Sequence, residues 1–232
     1  MVPEPRCPIL VFAKAPVPGL AKTRLIPALG ATGAADLQRR LTHAAVRRAL
    51  DADIGPVQLW CSPDLEHQFF DECREAYPSI SLHPQQGADL GTRMAHALQT
   101  ALATGTSGAL LIGTDCPALS PEDLRQGRDA LRGGAQVVLS PAEDGGYVLV
   151  GVASLGPDSV RRLFDDVPWG TDQVLAITRQ RIADNGLRGD ELPTRWDIDR
   201  HPDLQRLAAD PALRGLLHGL WEPCGFPDQG DG

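Results

Sequence analysis

The chain has 232 residues, long enough for one α/β domain, and its 42% hydrophobic and 22% charged residues are ordinary for a soluble globular protein. A net charge of −8 argues against a general binder of nucleic acids or anionic membranes, and no apolar run is long enough to span a bilayer. Five cysteines without a C-x-x-C pair favour reduced thiols over a disulfide set or a zinc site, so we expect a cytoplasmic protein.

Strand-like and helix-like segments alternate along the chain, which predicts a mainly parallel sheet, partly mixed in its second half, with helices on both faces. The short apolar runs predict strands at 9–12, 57–61, 79–82, 109–112, 137–140 and 147–152. Helical spacing of apolar residues predicts helices at 31–50, 64–77, 93–103, 160–164, 172–183 and 211–220, with two more starting after Ser120 and near Pro202. We expect a single domain over residues 1–221 and a flexible tail over 222–232.

Both lysines of the chain, Lys14 and Lys22, lie in the loop that follows the first predicted strand. Pro16, Pro18 and Gly19 prevent a helix there and stiffen the backbone. Backbone N–H groups and compact ammonium groups are suited to binding phosphates. The loop matches neither the P-loop pattern nor G-x-G-x-x-G, so a nucleotide phosphate loop and a basic surface loop both remain open.

Polar side chains follow several of the predicted parallel strands. Because ligands of such sheets gather at the carboxyl ends of the strands, we expect these side chains to meet at one edge. They are Lys14, Lys22, Arg24, Gln85, Gln86, Gly87, Asp89, Arg93, Thr114, Asp115, Glu143, Asp144, Asp197 and Asp199. Basic and acidic groups together indicate a nucleotide site in which carboxylate oxygens hold Mg²⁺ or Mn²⁺ against phosphates.

Several of these residues also have simpler interpretations. Asp115 follows a strand and fits the cap of a turn, and Asp199 fits the N-cap of the helix near Pro202. The pair Gly145 and Gly146 fits an ordinary turn. No single one of these residues therefore establishes a nucleotide site, and the prediction depends on their lying together.

Five ordered motifs between residues 9 and 207 resemble a bacterial family of GT-A-type proteins (DUF2064-like). They are FAKAPVPGLAKTRL, QQGADLGTRM, LLIGTDCPALSPEDL, SPAEDGGYVLVGV and WDIDRHPDL. The family is labelled as glycosyltransferases, and some members are associated with arsenosugar biosynthesis. The chain is more distantly similar to the phospholactate and molybdopterin guanylyltransferases. The resemblance implies a GT-A-like α/β sandwich, the fold of nucleotide-diphospho-sugar transferases.

The resemblance also implies roles for individual positions. Residues implied to contact the nucleotide are Ala13, Lys14, Gly19, Lys22, Arg24, Gln86, Gly87, Arg93 and Thr114. Residues implied to approach the acceptor are Glu143, Asp144, Gly145 and Gly146. Asp115 would be the first metal ligand, with Asp197 or Asp199 as the second. Asp115, Asp144 and Lys22 are the expected catalytic residues.

One departure from the GT-A pattern keeps two reactions open. The Asp-x-Asp triplet common in GT-A glycosyltransferases is replaced by Gly113-Thr114-Asp115, which offers a single carboxylate. The expected function is therefore metal-dependent glycosyl transfer from a nucleotide sugar to a small acceptor, or nucleotidyl transfer from an NTP to a phosphorylated small molecule. A nucleotide-binding protein without turnover is a third hypothesis. The sequence predicts no nucleic-acid or membrane partner and leaves the oligomeric state undetermined.

Overall fold

The computed structural model describes residues 6–221, which build a seven-stranded sheet. The strands are β1 (Ile9–Lys14), β2 (Val57–Ser62), β3 (Ser81–Pro84), β4 (Gly108–Gly113), β5 (Val137–Pro141), β6 (Tyr147–Ala153) and β7 (Gly189–Glu191). Their spatial order is β3-β2-β1-β4-β6-β5-β7. Only β6 is antiparallel to its neighbours, β4 and β5; the other pairs are parallel. The mainly parallel, partly mixed sheet that the sequence predicts is confirmed.

Helices cover both faces of this sheet, giving three layers. They are α1 (Ile26–Ala52), α2 (Gln68–Ala76), α3 (Leu90–Leu102), α4 (Pro121–Arg132), α5 (Pro157–Arg162), α6 (Val174–Asp184) and α7 (His201–Ala209). One core joins the sheet to α1, α2 and α4, and a second joins the opposite face to α3, α5 and α6. A third apolar cluster packs the C-terminal part of the described chain, including α7, against α1.

Apart from small shifts in the ends of other elements, the structure differs from the sequence-based expectations at four places. Helix α1 begins before the predicted start and is kinked at Gly30, whose φ is +70°. Strand β7 was missed because its three residues are polar and exposed and show no apolar alternation. The helix predicted over 211–220 is wrong: the chain forms only a 3-10 turn at Arg214–Leu217. Asp199 is not the N-cap of α7, since that position is occupied by Arg200. The predicted tail and Cys224 lie outside the described residues.

The strand order creates a crevice at the carboxyl ends of β1 and β4. From β1 the chain proceeds outward to β2 and β3, and then returns to the other side of β1 to form β4. Loops on the two sides therefore diverge between β1 and β4, and ligands of open α/β sheets bind at such a divergence. The fold thus places the loop after β1 next to Thr114 and Asp115.

An ion pair fixes the segment that carries Asp197 and Asp199. The carboxylate of Asp123, only 2% exposed, accepts hydrogen bonds of 2.6 and 3.1 Å from the guanidinium of Arg195. Burial raises the pKa of Asp123, but hydrogen bonds from Arg195 and Ser120 lower it further, so that the pKa lies below its ordinary value. The pair joins the start of α4 to the chain just before Asp197.

We expect Asp123→Ala to lower the free energy of unfolding by about 3 kcal/mol, because the substitution leaves the guanidinium of Arg195 partly buried without its partner. Urea denaturation at pH 7 measures the change. Glu75→Ala, an exposed carboxylate on α2, is the control and should change stability by less than about 0.5 kcal/mol. Equal stabilities of the two variants would contradict a structural role for the pair.

Candidate active site

The loop after β1 brings one of its two lysines into the crevice. The Lys22 side chain is 6% exposed, and its ammonium lies 2.9 Å from Asp115 Oδ1 and donates to the carbonyl of Ile198. Its backbone is left-handed, with φ of +47°, which turns the chain into α1. Lys14 instead donates to the carbonyl of Leu20 in its own loop and is exposed. The two lysines therefore have different surroundings.

Helix α1 positions Asp115 through a buried polar chain. Gln38, 4% exposed, donates a 3.0 Å hydrogen bond to the hydroxyl of Thr114, which in turn donates at 3.2 Å to Asp115 Oδ1. Gln38 was missed by the sequence reasoning, although an amide beside the apolar stripe of α1 is a signal that could have identified it. Buried polar groups need such partners, so Gln38 is a positioning residue.

The segment after β7 runs beside β5 and delivers two aspartates to the same place. Ile198 N donates a 2.9 Å hydrogen bond to the carbonyl of Asp115, which fixes the main chain between Asp197 and Asp199. Asp199 is paired with the guanidinium of Arg24. Burial, together with the nearby carboxylates of Asp144 and Asp115, raises the pKa of Asp197 to about 6, although Lys22 opposes this shift. Negative charge here exceeds what Lys22 compensates.

The turn between β5 and β6 presents Asp144 to this group. Gly145 has φ of +88°, and a Cβ there would lie 2.3 Å from the carbonyl oxygen of Asp172, so a side chain is excluded. Gly146 N donates at 3.0 Å to Asp144 Oδ1, which orients the carboxylate. The glycine pair is thus a turn, as the simpler interpretation held, and it also positions Asp144.

Glu143, the neighbour of Asp144 in the chain, has a carboxylate that is already paired with an arginine. Its carboxylate receives two hydrogen bonds, of 2.6 and 3.0 Å, from Arg206, whose guanidinium lies 4.5 Å from the centre of the Trp196 ring. The hydrogen bond from Arg206 lowers the pKa of Glu143. Arg206 was not identified from the sequence, because it lies 63 residues away in the chain.

Two adjoining cavities share Arg24, Asp144, Asp197 and Asp199. The first, which we call the apolar cavity, has a volume of about 290 Å³. Its apolar walls are formed by Phe12, Leu90, Met94, Leu111, Tyr147, Val148, Leu149, Val150, Trp169 and Val174. The second, the acidic cavity, has a volume of about 570 Å³ and is also lined by Glu143, Asp172, Trp196, Arg200 and Asp203. Together they form a cleft of the size that holds small molecules.

The structure brings together part of the predicted site. Asp115, Asp144, Asp197, Asp199, Lys22 and Arg24 converge, and Gly146 lines the apolar cavity. Gln86, Gly87 and Arg93 lie beyond β3; Arg93 Nε donates to the carbonyl of Gly87 at 3.0 Å, and none of the three lines the apolar or the acidic cavity. Trp169, which lies in a loop rich in Pro and Gly, also lines the apolar cavity.

The carboxylates offer oxygen ligands suited to Mg²⁺ or Mn²⁺, and the charges of Asp144 and Asp115 add to the effect of burial in raising the pKa of Asp197. Within residues 6–221, however, no three His, Cys, Asp or Glu side chains are arranged as a metal-binding group. Asp115 is paired with Lys22 and Asp199 with Arg24. The oxygen donors are thus of the kind that a divalent cation takes, but these ion pairs would have to rearrange before a cation could bind.

The chain is similar to proteins of known family and fold. A family described as an uncharacterised protein conserved in bacteria (DUF2064) matches residues 45–171. A solved structure from Desulfovibrio desulfuricans G20, provisionally described as a nucleotide-diphospho-sugar transferase, is 30% identical, with a TM-score of 0.79 over 91% of this chain and 94% of that one. No functionally curated protein is significantly similar in sequence.

More distant structures share the fold alone. The 4-diphosphocytidyl-2C-methyl-D-erythritol synthase of Anaerococcus prevotii DSM 20548 is 13% identical, with a TM-score of 0.56 over 86% of this chain and 93% of that one. The molybdopterin-guanine dinucleotide biosynthesis protein A of Archaeoglobus fulgidus is 13% identical, with a TM-score of 0.50 over 86% and 95%. The predicted nucleotide-diphospho-sugar transferase fold is confirmed. Among residues 6–221, no helix is both long and apolar enough to cross a membrane.

We expect Asp197→Asn to stabilise the protein above pH 6. Because folding raises the pKa of Asp197 from 3.8 to about 6, the cost of ionising this group grows as pH rises from about 4 to about 6, stays constant above pH 6 and disappears below about pH 4. The variant should melt roughly 3–6 °C higher at pH 8, for a gain of about 1–2 kcal/mol, and show little gain at pH 4. Differential scanning calorimetry measures both.

Asp199→Asn is the matched control, since Asp199 lies two residues away and is paired with Arg24. Asp199→Asn should not raise the melting temperature at pH 8. A lower melting temperature of Asp197→Asn at pH 8 would contradict the charge excess inferred for the cleft.

Proposed function

This chain belongs to the bacterial family DUF2064, and on that premise we propose that it is a metal-dependent transferase that uses an activated nucleotide. The specific proposal is a cytoplasmic glycosyltransferase, acting as a single domain, with a nucleotide-sugar donor and a small-molecule acceptor. The description of its 30%-identical relative as a nucleotide-diphospho-sugar transferase supports the donor class. The described cysteines, all buried and free, support a reducing compartment.

The observation that carries the proposal is the convergence of Asp115, Asp144 and Asp197 at the carboxyl ends of β1 and β4. Burial and the neighbouring carboxylates raise the pKa of Asp197, so this group is costly to keep ionised, and a fold maintains such an arrangement where function uses it. A nucleotide diphosphate would add further negative charge to the crevice. Asp115 and Asp197 would hold a divalent cation here, and its positive charge would offset both the carboxylates and the diphosphate.

Lys22, Arg24 and the metal ligands have distinct roles in the proposed reaction. Asp115 and Asp197, with Asp199 as an alternative to Asp197, would hold Mg²⁺ or Mn²⁺. When bound, the cation supplies positive charge that stabilises the departing diphosphate. Lys22 and Arg24 add fixed positive charge beside it. The nucleotide itself would lie over the loop after β1, near Ala13, Lys14, Gly19 and Thr114, with Gln86, Gly87 and Arg93 on its outer side.

The structure favours Asp144 over Glu143 as the group that removes the acceptor proton. Asp144 lines both cavities, whereas Glu143 is bound by Arg206, and the hydrogen bond lowers its pKa. A carboxylate with a lowered pKa is a weaker proton acceptor. In an inverting transfer, Asp144 would therefore accept the hydroxyl proton as the acceptor oxygen forms its bond to the sugar.

Nucleotidyl transfer is the second candidate, and the single carboxylate after β4 favours it. In that reaction a phosphorylated acceptor attacks the α-phosphate of an NTP, and no side-chain base is required. The acidic cavity opposes it, because six carboxylates and only two guanidinium groups line that space. A phosphorylated acceptor would be repelled there unless cations accompanied it. The charge of the cleft thus favours a neutral or cationic acceptor and glycosyl transfer.

We expect isothermal titration calorimetry to detect a nucleotide sugar that binds more tightly than NTPs and only with Mn²⁺. Asp197→Asn should weaken the Mn²⁺-dependent binding at least about tenfold, because it removes a charged ligand. Asp184→Asn, at the exposed end of α6, is the control and should bind normally.

Each alternative gives a different titration. Preference for an NTP would overturn the glycosyl assignment in favour of nucleotidyl transfer. If Asp115→Asn bound nucleotide at least as tightly as the native chain, with no need for metal, the protein would be a binder without turnover. If no nucleotide bound, the premise of a nucleotide site at Lys22 and Asp115 would be wrong.

A second prediction concerns the acceptor. With the donor identified, alcohols should be used at least about tenfold more efficiently than their own phosphate monoesters, since the acidic cavity repels the added charge. Product formation measured by mass spectrometry at matched ionic strength gives the ratio. Asp172→Asn should reduce the preference for alcohols, because it removes one negative charge from the lining of the acidic cavity. The opposite preference would support nucleotidyl transfer.

A further inference from the structure

A third cavity lies beside α1, apart from the cleft. It has a volume of about 510 Å³ and is enclosed by α1, the end of α2 and the C-terminal 3-10 turn. Its polar lining consists of Arg40, His43, Arg47, Tyr77 and His218, and no residue that lines it is acidic. It shares no residue with the apolar or the acidic cavity. We call it the basic cavity.

The positive charge of the basic cavity is not balanced by neighbouring carboxylates. Within residues 6–221 neither Arg40 nor Arg47 forms an ion pair, whereas Arg39, which directly precedes Arg40, is paired with Glu72. Arg40 donates to the carbonyls of Leu216 and His218, which attaches the 3-10 turn to α1. In a protein of net charge −8, a concave site with this lining is suited to an anion.

The hydrogen bonds around Tyr77 leave donors available in the basic cavity. Arg47 Nε lies 3.1 Å from the Tyr77 hydroxyl oxygen and can only donate, so this oxygen accepts. The hydroxyl proton is then free to point at His43 Nδ1, also 3.1 Å away. In that arrangement neutral His43 carries its proton on Nε2. The terminal nitrogens of Arg47 make no hydrogen bond to any described residue.

We propose that the basic cavity binds a small molecule that carries a phosphate or carboxylate group. The guanidinium of Arg47 would make charge-assisted hydrogen bonds to the anion, with His43 and His218 as further donors. Ala44, Ala76 and Leu216 supply apolar wall for the rest of the ligand. A volume of about 510 Å³ accommodates a metabolite rather than a bare ion.

The pKa of His43 reports whether an anion is bound in the basic cavity. Burial, followed by the charges of Arg47 and Arg39, lowers its pKa, while Glu72 opposes them. Arg40 and His218 face the same space, and Tyr77 is its hydrogen-bond partner. An anion bound among these groups stabilises the imidazolium. Binding must therefore raise the pKa of His43 and become tighter as pH falls.

The experiment is NMR titration of the histidine side chains in the full chain, with His43 assigned from the spectrum of His43→Gln. Inorganic phosphate and succinate are titrated separately at constant ionic strength. We expect a saturable response to at least one of them, with a rise of roughly half a unit in the pKa of His43. The probe that binds more tightly identifies the anionic group. Arg47→Gln should weaken binding about tenfold.

Arg162→Gln, an exposed arginine on α5, is the matched control and should leave the response unchanged. Asp197→Asn should also leave it unchanged, which separates this site from the cleft. The full chain, residues 1–232, is used throughout. If neither probe moved the His43 resonance, or if both arginine variants behaved alike, the proposed site would be wrong.

Discussion

The hydrogen bond from Ile198 N to the carbonyl of Asp115 determines where the charges of the cleft meet. It joins the end of β4 to a segment more than 80 residues later in the chain, and Lys22 reaches across both. Asp197 then lies close enough to Asp115 and Asp144 for their charges to raise its pKa. The ion pair of Arg195 with buried Asp123 fixes the segment that leads to this contact. The position of the site therefore depends on a pair in the interior of the fold.

Lys22 places one positive charge beside the aspartates of the cleft. Its ammonium neutralises Asp115, but one positive charge is too little for three carboxylates. The energetic cost of this arrangement falls on Asp197, and protonation of its carboxylate relieves it.

Charge also distinguishes the two ends of α1. Its N-terminal half supplies Gln38 to the acidic cleft, and its C-terminal half supplies Arg40, His43 and Arg47 to the basic cavity. In a helix, residues three and four apart share a face, so the three basic residues form one stripe. The same helix thus supports two sites of opposite charge, and Arg40 connects the second to the C-terminal 3-10 turn.

The sequence alone determined the three-layer α/β fold, because apolar runs and helical spacing report burial locally. It also identified the aspartates, since strand order brings carboxyl ends to one edge. It did not determine which partner each charged group takes. Tertiary structure decided that Glu143 pairs with Arg206, that Gln38 bonds to Thr114 and that Lys22 is the cation beside Asp115. Each of these contacts joins residues far apart in the chain. Strand β7 and the 3-10 turn at Arg214–Leu217 likewise follow from packing against neighbours rather than from their own sequence.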